Sequence, residues 1–441
     1  MRDDTSVLPH GRGQRAATGA GSGWRKAGRK LALALALVAG IGSGGGTAFA
    51  QEWIDTWAAA PQPVWGPDFL APLGYPRNLW DQTVRQIARV SLGGTQVRIT
   101  LSNEYGDQPM VVGEARVALH DEGAAIHAGS DRKLTFSGME SITIPAGAAV
   151  VSDAVDLDVP DLGSVAVSLY FPDVTPTSTV HSDGRQTAYI VAGNKTADVE
   201  IETDNTTLSR LFLSAIVVDA PENARAIVTF GDSITDGDGS TADANTRWPD
   251  ILAERLHEAG GVPTAVLNEG ISGQRVLADR MGANALARFE EAVLSHPKVE
   301  TVIFMMGIND IGWPDSVLDP KATAPEAQDI IAGYKQIIAR AHDHGIRILG
   351  ATLTPFDNAF AGGPLEGFYS VDKEAVRLEV NEWIRTGGGF DAVIDFDKVV
   401  QDPENPGKVL PAFDKGDNLH PNDAGYRAMA EAVDLDLLDR D

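Results

Sequence analysis

The sequence predicts a two-part chain, an antiparallel β-sandwich-like domain over residues 51–218 followed by a parallel-sheet α/β domain over residues 225–441. From about residue 83 to residue 218, apolar and polar residues alternate with period two in short runs between turn residues, and no helical period appears. The character changes at Asp219 to Asn223, after which short apolar runs alternate with helical ones, the order expected of a parallel sheet with helices on both faces. The 441 residues, 43% of them hydrophobic, suffice for a large core and, at usual domain sizes, for roughly two or three domains.

Residues 1–50 stand apart. Arg25, Lys26, Arg29 and Lys30 precede the apolar run Leu31 to Val38, a Gly/Ser-rich patch and Ala48-Phe49-Ala50, which fits a small-x-small cleavage site before Gln51. This is the pattern of an export signal, and the apolar run is short of the roughly 20 residues a spanning helix needs. No stable membrane anchor is expected after cleavage, and the sequence leaves periplasmic and extracellular destinations open.

In the first domain Val97, Ile99 and Leu101 alternate with Arg98, Thr100 and Ser102, and Gly93-Gly94 before them reads as a two-residue hairpin turn. Ile142 to Ile144 stops at Pro145, Val165 to Phe171 ends at Pro172, and Phe212 to Val218 is the last strand. The Pro- and Trp-rich lead-in (Trp57, Pro61, Pro63, Trp65, Pro72, Pro76) reads as an irregular wrapping segment. In the second domain strands are expected at Ile227 to Phe230, Ala265 to Leu267, Val302 to Met305, Ile346 to Leu349 and Val393-Ile394. Helices are expected over Trp248 to Ala259, through Phe289, over Ile330 to Ala341, Val376 to Ile384 and Ala424 to Leu438. Ile330, Ile331, Tyr334, Ile337, Ile338 and Ala341 form one helical stripe.

Composition excludes several classes. The formal charge of −26, which becomes −31 once the 7 basic and 2 acidic residues of 1–50 are removed, disfavours nucleic-acid partners and anionic membrane surfaces. Without Cys there is no disulfide framework, thiolate zinc site or cysteine nucleophile.

Reactive groups of an open parallel sheet gather at the carboxyl ends of its strands. Four loops after apolar runs there carry unusual polar residues: Gly231-Asp232-Ser233-Ile234-Thr235, Asn268-Glu269-Gly270-Ile271-Ser272-Gly273, Gly307-Ile308-Asn309-Asp310, and Asp417-Asn418-Leu419-His420-Pro421, expected after the last strand. A serine hydroxyl needs an adjacent base, a group to orient that base and donors for the developing oxyanion. Ser233 on a strand-to-helix turn, His420, Asp417 three residues before it, the Gly273 N–H and the Asn309 amide supply one of each. Asp232 is expected to hydrogen-bond its own turn.

These blocks, in this order and spacing, resemble the SGNH, or GDSL-type, hydrolase family over about residues 225–441, with Ile234 where the family has Leu. Residues 51–218 also look like the β-domain preceding some exported members. The resemblance implies Ser233 as nucleophile, His420 as general acid/base, Asp417 as its partner, and Gly273, Asn309 and the Ser233 N–H as oxyanion donors. It further implies a flavodoxin-like three-layer fold, with no metal and no organic cofactor.

Asp236 to Ser240 resembles the start of a calcium loop, but Thr241 and Arg247 stand where Gly and Glu are required. The G-x-S-x-G elbow fails at both Ser233 and Ser272, since Thr235 and Gln274 occupy the final position. His342 and His344 read as helix caps, while Trp313-Pro314 and Phe356 to Phe368 are expected to line the acyl or alcohol pocket. The function expected is an exported serine ester hydrolase acting on short-acyl or carbohydrate-linked esters, its partner a small-molecule or glycan ester. The alternatives are a lysophospholipase or lipase, and a non-catalytic glycan-binding protein with a degenerate esterase domain.

Overall fold

The period-two segments pair into two antiparallel sheets. The structure, a computed structural model, describes residues 52–66, 69 and 74–439, so the expected export signal and Pro72 lie outside the described residues. The strands that carry the fold here are β1 (Trp53–Ala58), β2 (Gln82–Arg89), β3 (Gly94–Ser102), β4 (Glu114–Leu119), β5 (Ser164–Phe171), β6 (Ala188–Ala192) and β7 (Leu213–Asp219). One sheet runs β1-β7-β3, with two short strands on the far edge of β3; the other contains β6-β2-β5-β4. β5 pairs with β2 without a bulge from Ser164↔Arg89 to Phe171↔Gln82. Val97, Ile99, Leu101, Ile216 and Val218 of one sheet and Val84, Val117, Val165, Val167 and Leu169 of the other are fully buried in a common core.

Two expectations need correction here. The Trp-rich lead-in begins as a strand, since β1 is hydrogen-bonded along β7 and its backbone is thereby satisfied. Gly93-Gly94 is not a hairpin turn, because β2 and β3 belong to different sheets. The chain crosses between them there in close contact with other backbone: a Cβ on Gly93 would lie 2.3 Å from the Val159 carbonyl, and one on Gly94 2.8 Å from that of Asp219.

After Ala220 to Ala224 the sheet becomes parallel. Its strands are β8 (Arg225–Gly231), β9 (Thr264–Asn268), β10 (Val299–Met305), β11 (Arg347–Ala351) and β12 (Ala392–Ile394), in the spatial order β9-β8-β10-β11-β12. Alternate residues face opposite layers. Ile227, Ile303, Met305 and Leu349 pack with α2 (Trp248–Ala259), α7 (Phe396–Val400) and α8 (Asp423–Glu431). Phe230, Val302, Phe304 and Ile348 face α3 (Ala285–Phe289), α5 (Ala327–Asp343) and α6 (Val371–Thr386). Because the chain goes from β8 first to β9 on one side and then to β10 on the other, the sheet has its switch point between β8 and β10, where a crevice opens at the carboxyl ends. Two further short helices sit in that crevice, α1 (Ser233–Asp236) after β8 and α4 (Ile308–Gly312) after β10.

The antiparallel and parallel parts are not separate bodies: residues 51–441 form one compact unit, and one apolar core runs through both. The Ser91 hydroxyl accepts the Val266 N–H at 2.9 Å, joining the β-rich part to the edge strand β9. Among the described residues no helix is long and apolar enough to cross a membrane.

Candidate active site

Ser233 opens α1 directly after the turn that ends β8. Asp232 caps the helix in extended conformation, its carboxylate accepting the Ile234 N–H at 3.1 Å, as expected from the sequence. Gly231 permits the tight entry, since a Cβ there would fall 2.1 Å from Thr235 Oγ1. Burial pushes the Asp232 carboxyl up to about 7, against the opposing pull of the Ile234 amide and of His420.

Asp417 and His420 do not stand at a strand end, contrary to expectation. The chain leaves the sheet at Ile394, passes through α7 and a two-stranded hairpin, and returns over the crevice in a loop that precedes α8. Asp414 shapes that loop by accepting the N–H groups of Gly416 at 2.8 Å, Asp417 at 3.2 Å and Asn418 at 3.1 Å, with Asn418 left-handed at φ 60°. Asp417 Oδ1 accepts the Leu419 and His420 N–H groups at 3.0 and 2.9 Å, and Oδ2 faces His420 Nδ1 at 2.7 Å. His420 Nε2 lies 2.8 Å from Ser233 Oγ. Burial alone would raise the Asp417 carboxyl, but its hydrogen bond to His420 and the nearby His420 and Lys415 charges hold it well below the usual carboxylate range.

Asn309 sits in the first turn of α4. Its Nδ2 donates to the Gln274 carbonyl at 3.0 Å and its Oδ1 accepts Trp313 Nε1 at 3.0 Å, which fixes the amide and leaves one Nδ2 hydrogen to point elsewhere. The next residue, Asp310, accepts the N–H groups of Val276 and Leu277 at 2.7 and 2.9 Å, tying α4 to the loop that carries Gly273. Burial raises the Asp310 carboxyl to about 6, although those two amides oppose the shift. Gly273 has φ 75°, and a Cβ on it would meet Met281 Sδ at 2.2 Å and the Trp313 ring at 2.9 Å.

Ser233, Gly273, Asn309 and His420 share one cleft of about 390 Å³. Asp417 reaches it through His420. The remaining wall is largely apolar, with Phe69, Met281, Trp313, Leu318, Phe360, Leu365 and Phe368. Phe356 stands behind this wall, fully buried with its ring 6.1 Å from that of Phe368. Asp238 and Ser272 also line a second, more polar cleft of about 520 Å³, to which the β-rich part contributes Trp65, Ser182, Asp183, Arg185 and Ser209.

Of the other sequence candidates, Ser272 Oγ is bonded to Asp236 Oδ2 at 3.1 Å, and His344 caps the Arg340 carbonyl of α5 at 2.9 Å. His342 faces Asp391 at 3.0 Å. Asp236 and Asp238 diverge, the former toward Ser272 and the latter toward Lys415 at 2.7 Å, so they do not form a calcium loop. Sequence reasoning missed the place of Asp238 beside the site: its Oδ2 is 3.6 Å from His420 Nε2. Its one sequence signal is its position five residues after Ser233, within the stretch that resembles a calcium loop.

A parallel α/β sheet with a serine, a histidine and a carboxylate gathered at its switch point, beside an apolar cleft, has the form of an ester hydrolase, and this protein is one. Residues 227–433 match the GDSL-like lipase/acylhydrolase family model, which identifies that segment as a GDSL-like hydrolase domain. Among solved structures it is similar to an acetyl xylan esterase, AlAXEase (22% identity, 47% of this chain and 96% of that one, TM-score 0.35). It is also similar to a carbohydrate acetylesterase family member from Sinorhizobium meliloti (19%, 47% and 94%, TM-score 0.35). A third is a lipase/acylhydrolase from Enterococcus faecalis (21%, 47% and 92%, TM-score 0.37). No curated protein matches the chain.

Proposed function

We propose that the protein hydrolyses carboxylic esters through an acyl enzyme on Ser233. The observation that carries this reading is the hydrogen-bonded series Ser233 Oγ, His420, Asp417 at 2.8 and 2.7 Å, opening on a cleft that also holds Gly273 and Asn309. His420 Nε2 takes the Ser233 proton as Oγ attacks the ester carbonyl, and Asp417 stabilises the imidazolium so formed. The N–H groups of Ser233 and Gly273 and the free Asn309 Nδ2 hydrogen receive the oxyanion. His420 then gives its proton to the departing alcohol, and water, deprotonated by the same nitrogen, releases the acid and restores Ser233. Every proton moved is held by His420 in turn, so these residues suffice for the cycle. The strand order β9-β8-β10-β11-β12 with helices on both faces supports the flavodoxin-like reading of the domain.

For the substrate, the apolar cleft suits the acyl group and the polar cleft suits a hydroxyl-rich alcohol. His420 Nε2 must reach the leaving oxygen, and Asp238 beside that nitrogen is a wall of the polar cleft. This keeps the carbohydrate-linked ester of the sequence reading and extends the acyl group beyond acetate, because about 390 Å³ of mostly apolar space exceeds what a methyl group fills. The same lining favours, as a second reading, a lipid ester held by its chain.

The test is hydrolysis of p-nitrophenyl esters, from acetate to long acyl chains, by residues 51–441 and by Ser233→Ala. The parent is expected to be active and the variant to lose on the order of a millionfold in kcat; near-normal activity in the variant would sink the assignment. Export to the periplasm or beyond is proposed on the leader pattern of residues 1–50, and predicts a mature protein whose N-terminal sequencing begins at Gln51.

A further inference from the structure

The β-rich part reaches the site through a buried histidine. His181 lies on a short strand of that part, Thr179–His181, and is 5% exposed. Its Nδ1 is 3.1 Å from the Ala60 carbonyl and its Nε2 is 2.9 Å from Asp236 Oδ1. A carbonyl oxygen only accepts, and so does a carboxylate, so satisfying both contacts requires a hydrogen on each ring nitrogen. The ring is therefore an imidazolium with both donors used.

Asp236, 1% exposed, is the last residue of α1, the helix that Ser233 begins. Its second oxygen, Oδ2, accepts the Ser272 N–H at 2.9 Å and the Ser272 hydroxyl at 3.1 Å. Ser272 immediately precedes Gly273. One carboxylate thus links the helix of the proposed nucleophile to the loop of a proposed oxyanion donor, and His181 lies against its free oxygen. A buried carboxylate without such a partner would lose its preferred charge or its place.

We infer that His181 is a positioning residue of the hydrolase: held between Ala60 and Asp236, it keeps the Asp236 carboxylate on Ser272 and so sets the Ser233 and Gly273 N–H groups at the spacing an oxyanion needs. This rests on the acyl-Ser233 reading above, and it makes residues of the β-rich part a component of the site instead of an appendage. Burial disfavours the charged ring, but the Asp236 charge and hydrogen bond, the Ala60 carbonyl and Asp183 together raise its pKa. Around the pair, Asp183 lies 3.4 Å from Ser272 Oγ, and the Arg247 and Arg288 charges also face Asp236. A second buried imidazole, His296, joins Asp55 of β1 to Glu269 of the Gly273 loop at 2.6 and 3.2 Å, bracing that loop from another side.

Oxyanion donors act on the transition state, so misplacing them lowers kcat with little effect on KM. The experiment compares wild type, Ser233→Ala, His181→Ala and His181→Gln in p-nitrophenyl ester hydrolysis, with rates expressed per folded molecule. His181→Ala is expected to lose about ten- to a hundredfold in kcat with KM within about twofold. His181→Gln, which can still donate to Asp236, is expected to recover at least about threefold of that loss. Full kcat in folded His181→Ala, or a change confined to KM, overturns the proposal. Activity surviving in Ser233→Ala overturns the serine reading itself, whatever His181 does. Should both His181 variants misfold, nitrogen NMR of the wild-type protein at neutral pH, with the His181 ring assigned through its own backbone, decides: protons on both of its ring nitrogens sustain the assignment, and a neutral His181 ring overturns it.

Discussion

Asp238 Oδ2 lies 3.6 Å from His420 Nε2, so the imidazole has a carboxylate toward each nitrogen, Asp417 at Nδ1 and Asp238 at Nε2. Lys415 Nζ spans the two, 2.7 Å from Asp238 and 3.2 Å from Asp417. In the proposed cycle, a negative charge at that distance stabilises the imidazolium formed when Nε2 takes the Ser233 proton, while Lys415 tempers it. Asp238→Asn is therefore expected to lower kcat for p-nitrophenyl esters by roughly three- to tenfold, a partly screened charge effect of about 1 kcal/mol. Unchanged kcat would mean that Lys415 already cancels Asp238.

The Asn309 amide is oriented from both ends, by Gln274 O and Trp313 Nε1. Asn309→Ala should cost roughly a hundred- to a thousandfold in kcat with a modest change in KM. Trp313→Phe keeps an aromatic wall and removes only the donor to Oδ1, so a smaller loss of about tenfold is expected, from an amide now free to turn. If Asn309→Ala changed KM alone, the residue would be a binding group.

Asp232 makes an unusual prediction about stability. Its carboxyl, raised to about 7, holds its proton more tightly in the folded state than in the unfolded chain, so stability falls as pH rises from the ordinary carboxylate range through about 7. Asparagine keeps the acceptor for the Ile234 N–H without a charge to bury. Thermal unfolding of Asp232→Asn should show a gain on the order of 1 to 3 kcal/mol at pH 8 and little or none at pH 4. A loss at pH 8 would indicate that the ionised form is needed.

His296 works in the opposite sense. Burial disfavours its charge, but Asp55 and Glu269 raise its pKa to about 10, with Arg288 3.5 Å from the same Glu269 carboxylate. Because the folded value exceeds the unfolded one, its contribution is fully present below about 6.5 and is lost as pH rises through about 10. The Tm of the wild type should therefore fall over pH 7 to 10.5 by more than that of His296→Gln, which starts lower and declines less. The difference is on the order of a few kcal/mol at neutral pH. Parallel curves for the two proteins would show that His296 is not charged in the fold.

These residues also mark what the sequence revealed and what it withheld. Local chemistry was legible: Asp232 caps its own turn, the Ile330 to Ala341 stripe is buried on α5, and Ser233 follows a strand. Long-range pairing was not. Gly93-Gly94 looks like a hairpin because any two glycines between strands do, yet β3 pairs with β7, more than a hundred residues away. The loop of Asp417 and His420 follows an apolar run in sequence, but only the fold shows that α7 and a hairpin intervene. His181 and Asp236 meet across 55 positions, and no periodicity encodes that contact.

The apolar wall gives the last prediction. If the acyl group lies against Trp313, Leu318, Phe360 and Phe368, each added methylene contributes about 0.8 kcal/mol until the cleft is full. kcat/KM for p-nitrophenyl esters should then rise by roughly fourfold per carbon over the first few members of the series. Leu318→Trp, which fills part of the cleft, should shorten that rise, cutting the longer esters far more than acetate. A series flat in both proteins would place the acyl group elsewhere, and the aromatic wall would then hold the alcohol.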